Sequence, residues 1–202
     1  KCAACHSTNL KKGYDPASNR YQTRFSELNV SCEACHGPGS GHVDWASRAK
    51  APYRSGDDKG LAVLLHSRWS EAWKFPDAGA KYAQRDQPAD SALMNTCAAC
   101  HARRSTLVEA GTPGAPLADS HRLAPLTQPL YHADGQQRDE VYVWGSFLQS
   151  RMHAAGVTCG DCHNPHTGKL RAQGNALCAQ CHLPGKYDAP AHTLHPVAGQ
   201  GF

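Results

Sequence analysis

Every cysteine in this 202-residue chain belongs to one repeated five-residue pattern, a C-x-x-C pair followed at once by histidine. It occurs as Cys2-Ala3-Ala4-Cys5-His6, Cys32-Glu33-Ala34-Cys35-His36, Cys97-Ala98-Ala99-Cys100-His101, Cys159-Gly160-Asp161-Cys162-His163 and Cys178-Ala179-Gln180-Cys181-His182. With 13 histidines in 202 residues, five such followers in five pairs would arise by chance with a probability on the order of one in a million. A single C-x-x-C reads equally well as a zinc knuckle or a redox dithiol. A zinc ribbon has no need of histidine after every second cysteine, and five pairs would leave one without a partner pair. Covalent haem attachment needs the whole pattern: two cysteines three apart form thioethers to one porphyrin, and the next residue turns its imidazole to the iron. The spacing therefore predicts five haems c, anchored by the ten cysteines, with His6, His36, His101, His163 and His182 as proximal ligands. All ten cysteines are committed as thioethers, and no disulfide is expected.

Five haems in 202 residues is one per about 40. That density accounts for an otherwise thin interior: 40% hydrophobic and 7% aromatic residues, with 18 glycines and 13 prolines. Porphyrin faces are expected to supply the apolar surface that Leu, Ile and Val supply elsewhere. Charge follows the same logic. The polypeptide carries +4, but ten propionates set against five ferric cores bring the total to about -1, and full reduction to about -6. The 21 Lys and Arg residues then offset propionates, and a nucleic-acid partner is not expected. No run of about 18 apolar residues exists, so no membrane-spanning helix is expected. The chain opens at Lys1-Cys2 without a leader pattern, which reads as a signal already removed or as a piece of something longer.

The pentapeptides begin at 2, 32, 97, 159 and 178, so this is no regular solenoid. The last two form a tight double whose haems must lie near each other. Between the second and third, the apolar run Leu61 to Leu65, the segment Trp73 to Phe75, the turn Pro76 to Gly79 and then Lys81 to Ala83 read as short strands of a hairpin; a short helix from Trp69 to Trp73 competes. Residues 111–131 hold four prolines and are expected to wrap in extended form. Glu140 to Met152 is patterned for a helix, weakened by Gly145. The fold expected is mainly irregular, with short α-helices and a small β-hairpin organised around stacked haems. It is read as one pentahaem domain over 1–202, with sub-units 1–110 (first three haems) and 111–202 (last two).

The second axial ligand separates an electron wire from an enzyme. Eight histidines remain: His42, His66, His121, His132, His153, His166, His192 and His195. His42 follows Gly37-Pro38-Gly39-Ser40-Gly41, an arm expected to swing it onto a neighbouring haem. His166 lies three residues past His163, too near for its own iron but placed for the next. His121 and His132 sit in or beside the proline-rich wrap, and His192 and His195 share one short segment. His42, His121, His132, His166, His192 and His195 are the distal candidates. His153 and His66 rank below them, and Met94 and Met152 read as packing residues.

The segments Cys2–Leu10, Phe25–Gly39, Tyr131–Gly135 and Gly145–Cys159 resemble the haem-bearing region of secreted multihaem c-type cytochromes that often carry tetratricopeptide repeats downstream. The resemblance spans nearly the whole chain, and in that family the six distal candidates match recurring histidine positions. Relatives commonly have one further haem motif upstream, another just after the stretch matching Pro190 to His195, and then the repeats; these are not in the present sequence. The chain is therefore expected to be a trimmed haem core, or a protomer that sets its end haems against a neighbouring copy, as an oligomer or filament.

The function expected is electron transfer through five mostly bis-histidine haems, as a periplasmic or extracellular carrier or conduit serving redox partner proteins. Thioether haem assembly on the outer side of the energy-transducing membrane sets that location. The alternative is an oxidoreductase with one open haem acting on a small nitrogen or sulfur compound. The signature of the pentahaem nitrite reductases puts lysine after one C-x-x-C pair, and here all five followers are histidine. A scaffold whose haems only hold the fold is a third and weaker reading.

Overall fold

Short elements joined by turns are what a chain this rich in Gly and Pro builds, and the computed structural model has that form. It describes residues 2–48, 58–65, 73–86, 88–109 and 111–194. In chain order the strands are β1 (Ser7–Thr8), β2 (Tyr14–Asp15), β3 (Arg20–Tyr21), β4 (Glu27–Leu28), β5 (Trp73–Lys74), β6 (Gln84–Arg85), β7 (Arg104–Thr106), β8 (His121–Leu123), β9 (His163–Asn164) and β10 (Lys169–Leu170). They pair only in antiparallel twos, β1 with β4, β2 with β3, β5 with β6, β7 with β8 and β9 with β10. The helices are α1 (Cys32–His36), α2 (Ser40–Arg48), α3 (Ser91–His101), α4 (Trp144–Leu148), α5 (Arg151–Ala154), α6 (Cys159–Cys162), α7 (Ala176–Ala179), α8 (Pro184–Tyr187) and α9 (Pro190–Thr193), with 3-10 turns at Cys2–Ala4 and Leu117–Asp119. Among the described residues no helix is long and apolar enough to cross a membrane.

The chain forms two compact units, one from Lys1–His66 with Asp90–Ser150, the other from Ser67–Ala89 with Arg151–Phe202. The first three pentapeptides fall in the former and the last two in the latter, and residues 67–89 join the C-terminal group across a long sequence gap.

In the first unit α3 is the longest helix. Asp90 caps it by accepting from the backbone N–H groups of Ala92 and Leu93 at 2.9 and 3.1 Å, satisfying two donors that have no partner within a helix's first turn. Its inner face buries Leu93, Met94 and Ala98, and Ala98 packs with Ala102 and Leu117 against Ala99 and Trp144. Thr8, fully buried, donates its hydroxyl to the Asn29 carbonyl and accepts from the Ser31 N–H, both at 2.9 Å. One side chain thereby holds the strand after the first pentapeptide to the cap of the second.

Three local expectations are revised. The apolar run Leu61 to Leu65 forms no strand. Instead Val63 donates its N–H to the His36 carbonyl at 3.0 Å, and the run lies as a strap under the second pentapeptide. The hairpin forms further on, with Trp73 facing Arg85 and Lys74 facing Gln84, while Tyr82 bridges His182 rather than the Trp73 strand. The competing helix from Trp69 falls mostly outside the described residues. Finally, the helix expected from Glu140 to Met152 is two short ones, α4 and α5, interrupted after Leu148. Gly145 does not break it: a Cβ there would fall 2.3 Å from the Tyr131 hydroxyl, so glycine is what lets α4 approach the buried Tyr131.

Candidate haem-attachment sites

Each pentapeptide sits at a helix or tight turn that brings its two cysteines to one side. Cys2 to Ala4 is a 3-10 turn, the second pentapeptide forms α1, the first four residues of the fourth form α6, the third ends α3, and the fifth runs out of α7. None of the ten cysteines is in a disulfide. In the first unit the second cysteines gather: the Cys5 Sγ lies 3.9 Å from the Cys100 carbonyl oxygen. Burial, then the neighbouring Cys5, push the Cys100 thiol up to about 11, with Cys35 adding to the effect and Arg104 opposing it. In the second unit burial and then Asp161 push the Cys181 thiol up to about 11, and the same two causes raise Cys162. Among the described residues no three His, Cys, Asp or Glu converge as a zinc site requires.

Two imidazoles are oriented by backbone carbonyls. His36 Nδ1 lies 2.9 Å from the Val63 carbonyl, and His42 Nδ1 lies 2.8 Å from the Lys59 carbonyl. A carbonyl only accepts, so each Nδ1 carries the proton and each Nε2 carries the lone pair, the tautomer that metal-bound histidines adopt. Both partners come from the strap 58–65. The strap is seated by a close glycine pair: a Cβ on Gly60, whose φ is +69°, would fall 2.3 Å from the Gly41 carbonyl oxygen. The arm before His42 is therefore folded rather than swinging. Gly37 closes α1, Gly39 donates its N–H to Glu33 at 2.8 Å, and His42 lies within α2, stacked on Trp45 with ring centroids 5.5 Å apart.

The other candidates are placed as follows. His121 begins β8, with Nδ1 2.8 Å from the Ser120 hydroxyl, and burial followed by Arg104 holds its imidazole below the usual range. Both causes disfavour its charged form. His132 sits in an exposed turn, closed by its N–H donating to the Gln136 carbonyl at 2.9 Å. His166 lies exposed in the turn between β9 and β10. Tyr187 stands edge-on to both His182 and His192, 4.9 and 5.0 Å from their centroids. His66 and His195 lie outside the described residues. His6, His101 and His163 are exposed, and His182 is half-buried. Met94 is buried in the core and Met152 is half-exposed.

Do these residues fit haem? Among the described residues only eight apolar side chains are buried, three of them alanines. Tyr14, Tyr21, Phe25, Leu28 and Val30, all between the first two pentapeptides, lie exposed, Leu28 by 75%. Three of the four buried polar atoms without a protein partner lie near attachment points. Among the described residues the four are Ser31 Oγ beside Cys32, Trp144 Nε1 against Ala99, Arg85 Nε, whose guanidinium acts on Cys181, and, away from any pentapeptide, Ser146 Oγ. Uncovered apolar surface and orphaned polar atoms, which meet at Val30 and Ser31, suit a flat apolar group with a polar edge.

Sequence reasoning missed the carbonyls of Lys59 and Val63, and it missed Arg85, Trp73 and Asp161, which meet in the second unit. Only the Thr158-x-x-Asp161 spacing, a capping-box pattern, signalled any of these.

Comparison with known proteins agrees. The family described as doubled CXXCH motif matches residues 152–186, which hold the fourth and fifth pentapeptides. The family described as cytochrome c554 and c-prime matches residues 1–37, which hold the first two. No curated protein and no solved structure is similar enough to match. With CXXCH motifs indicating covalently bound c-type haem, the two family matches at opposite ends of the chain support a multihaem c-type cytochrome.

Proposed function

We propose that the chain carries five haems, one at each pentapeptide, and serves as an electron carrier or conduit on the outer side of the energy-transducing membrane. The observation that carries this reading is the paired tautomer control at His36 and His42. A proximal histidine and a second histidine beyond the pentapeptides are oriented by the same strap, which is what two-sided iron ligation asks of a chain. Bound haem would supply a one-electron iron couple. The cysteines would fix each ring, and the histidine that follows would hold one axial position. His42, His121, His132, His166, His192 and His195 are the proposed sources of the other. With both positions filled by imidazole, iron has no site for a small substrate, which favours transfer over catalysis. Redox partner proteins, or further copies of the chain, would meet the outlying haems.

The test is an EPR and optical spectrum of the oxidised and reduced protein with added cyanide, nitrite or carbon monoxide. Low-spin irons that ignore all three support the conduit. A high-spin iron that binds any of them supports an oxidoreductase acting on a small nitrogen or sulfur compound. A single substitution sharpens the ligand assignment. His42→Ala is expected to convert one iron, and only one, into a high-spin centre that binds carbon monoxide, read in the reduced difference spectrum.

A further inference from the structure

In the second unit a buried ion pair joins a distant hairpin to both of the last two attachment sites. Asp161 lies between the two cysteines of the fourth pentapeptide, its side chain 4% exposed, and Arg85 on β6 is 9% exposed. Arg85 Nη1 donates to Asp161 Oδ2 at 2.9 Å, and Trp73 Nε1 on β5 donates to Oδ1 at 2.9 Å. Thr158 adds its N–H and its hydroxyl to Oδ2 at 2.7 and 2.8 Å. The Asp161 backbone carbonyl accepts from Gln180 Nε2 at 3.0 Å, and Gln180 lies between the two cysteines of the fifth pentapeptide. Ala83, two residues before Arg85, donates its N–H to the Cys181 carbonyl at 2.7 Å. The guanidinium also lies over the Trp73 ring, 5.3 Å from its centroid.

Four donors converge on one buried carboxylate, and the guanidinium facing it does not lose its proton in a protein. Low surrounding polarity makes a charge held there act strongly over short distances. The geometry points to Asp161 and Arg85 as a fixed charge pair that sets the reduction potentials of the haems on the fourth and fifth pentapeptides together, with Trp73 moderating the carboxylate. A negative charge near iron stabilises the ferric state and lowers the potential; the guanidinium opposes it. These are positioning residues, since neither is proposed to touch the iron.

The inference rests on the five-haem reading, so each variant is first weighed to count its haems; fewer than five in the wild-type protein would sink that reading and leave the pair a structural clamp. On five-haem protein, spectroelectrochemical titration of Asp161→Asn should raise two of the five midpoint potentials and leave three in place. Trp73→Phe removes one donor and keeps both charges, and should lower the same two. The double variant Asp161→Asn with Arg85→Gln removes both charges and should return the two toward wild type, whereas Arg85→Lys should leave them close to it. If Asp161→Asn and the double variant shift alike, a lost hydrogen bond and not charge is responsible, and the inference fails. It fails equally if Asp161→Asn and Trp73→Phe leave every potential unchanged. Should Asp161→Asn not assemble, Trp73→Phe decides alone: two lowered potentials support the pair's role and none overturns it.

Discussion

Produced without haem attachment, the chain is expected to show the far-UV dichroism of a disordered polypeptide and a collapsed, poorly dispersed amide NMR spectrum. The interior explains why. Of the eight apolar side chains buried among the described residues, five are larger than alanine: Leu93, Met94, Leu117, Tyr131 and Val141. Burying each contributes about 1.5–3 kcal/mol, while ordering one residue of backbone costs about 1–2 kcal/mol. Those five side chains offset the ordering of on the order of ten residues. Strands of two or three residues in isolated pairs add little, since a lone two-stranded hairpin is marginal in water. The porphyrins would have to supply what is missing, both as apolar surface and as ligation energy. A haem-free chain that unfolds cooperatively and gives a dispersed spectrum would show that the polypeptide suffices.

Arg85→Met should be the most damaging substitution in the second unit outside the pentapeptides, destabilising it by about 3–5 kcal/mol. It leaves the buried Asp161 carboxylate without its counter-charge, and it releases β6 from the fourth pentapeptide. The same hairpin provides an internal control. Lys74 pairs with Asp86 on the surface, the pairing raises the Lys74 pKa, and water screens the interaction. Lys74→Met should therefore leave stability nearly unchanged. Guanidinium unfolding of the two holoproteins, followed by amide exchange in residues 73–86 and 158–183, makes the comparison. Equal effects would mean that the buried pair contributes no more than a surface one.

What could be read from the sequence was the chemistry, because C-x-x-C-H is a local constraint: five contiguous residues carry both anchors and a ligand. The last two pentapeptides, beginning at 159 and 178, are close in sequence and fall in one compact unit. The hairpin was legible as a hairpin but not in its register. Trp73 and Arg85 are placed by Asp161, a partner more than 70 residues away, and no periodicity in a two-residue strand reports such a contact. The same holds for the strap. Leu61 to Leu65 reads as a strand because its residues are apolar, yet the backbone groups of Val63 are used by His36. The local conformation around His42 differs from the one its glycines suggested. Glycines that read as a flexible arm are there for close approach, Gly41 against Gly60, and the helix that carries His42 begins one residue earlier, at Ser40.

The central claim is that every pentapeptide holds a haem, including the third, Cys97 to His101, which lies outside both family matches. Intact-mass spectrometry of the mature protein under denaturing conditions, paired with the pyridine haemochrome absorbance per chain, tests it directly. The account predicts one species with the mass of the polypeptide plus five thioether-bound haems. A homogeneous protein with four or fewer, its remaining cysteines open to alkylation, would contradict it.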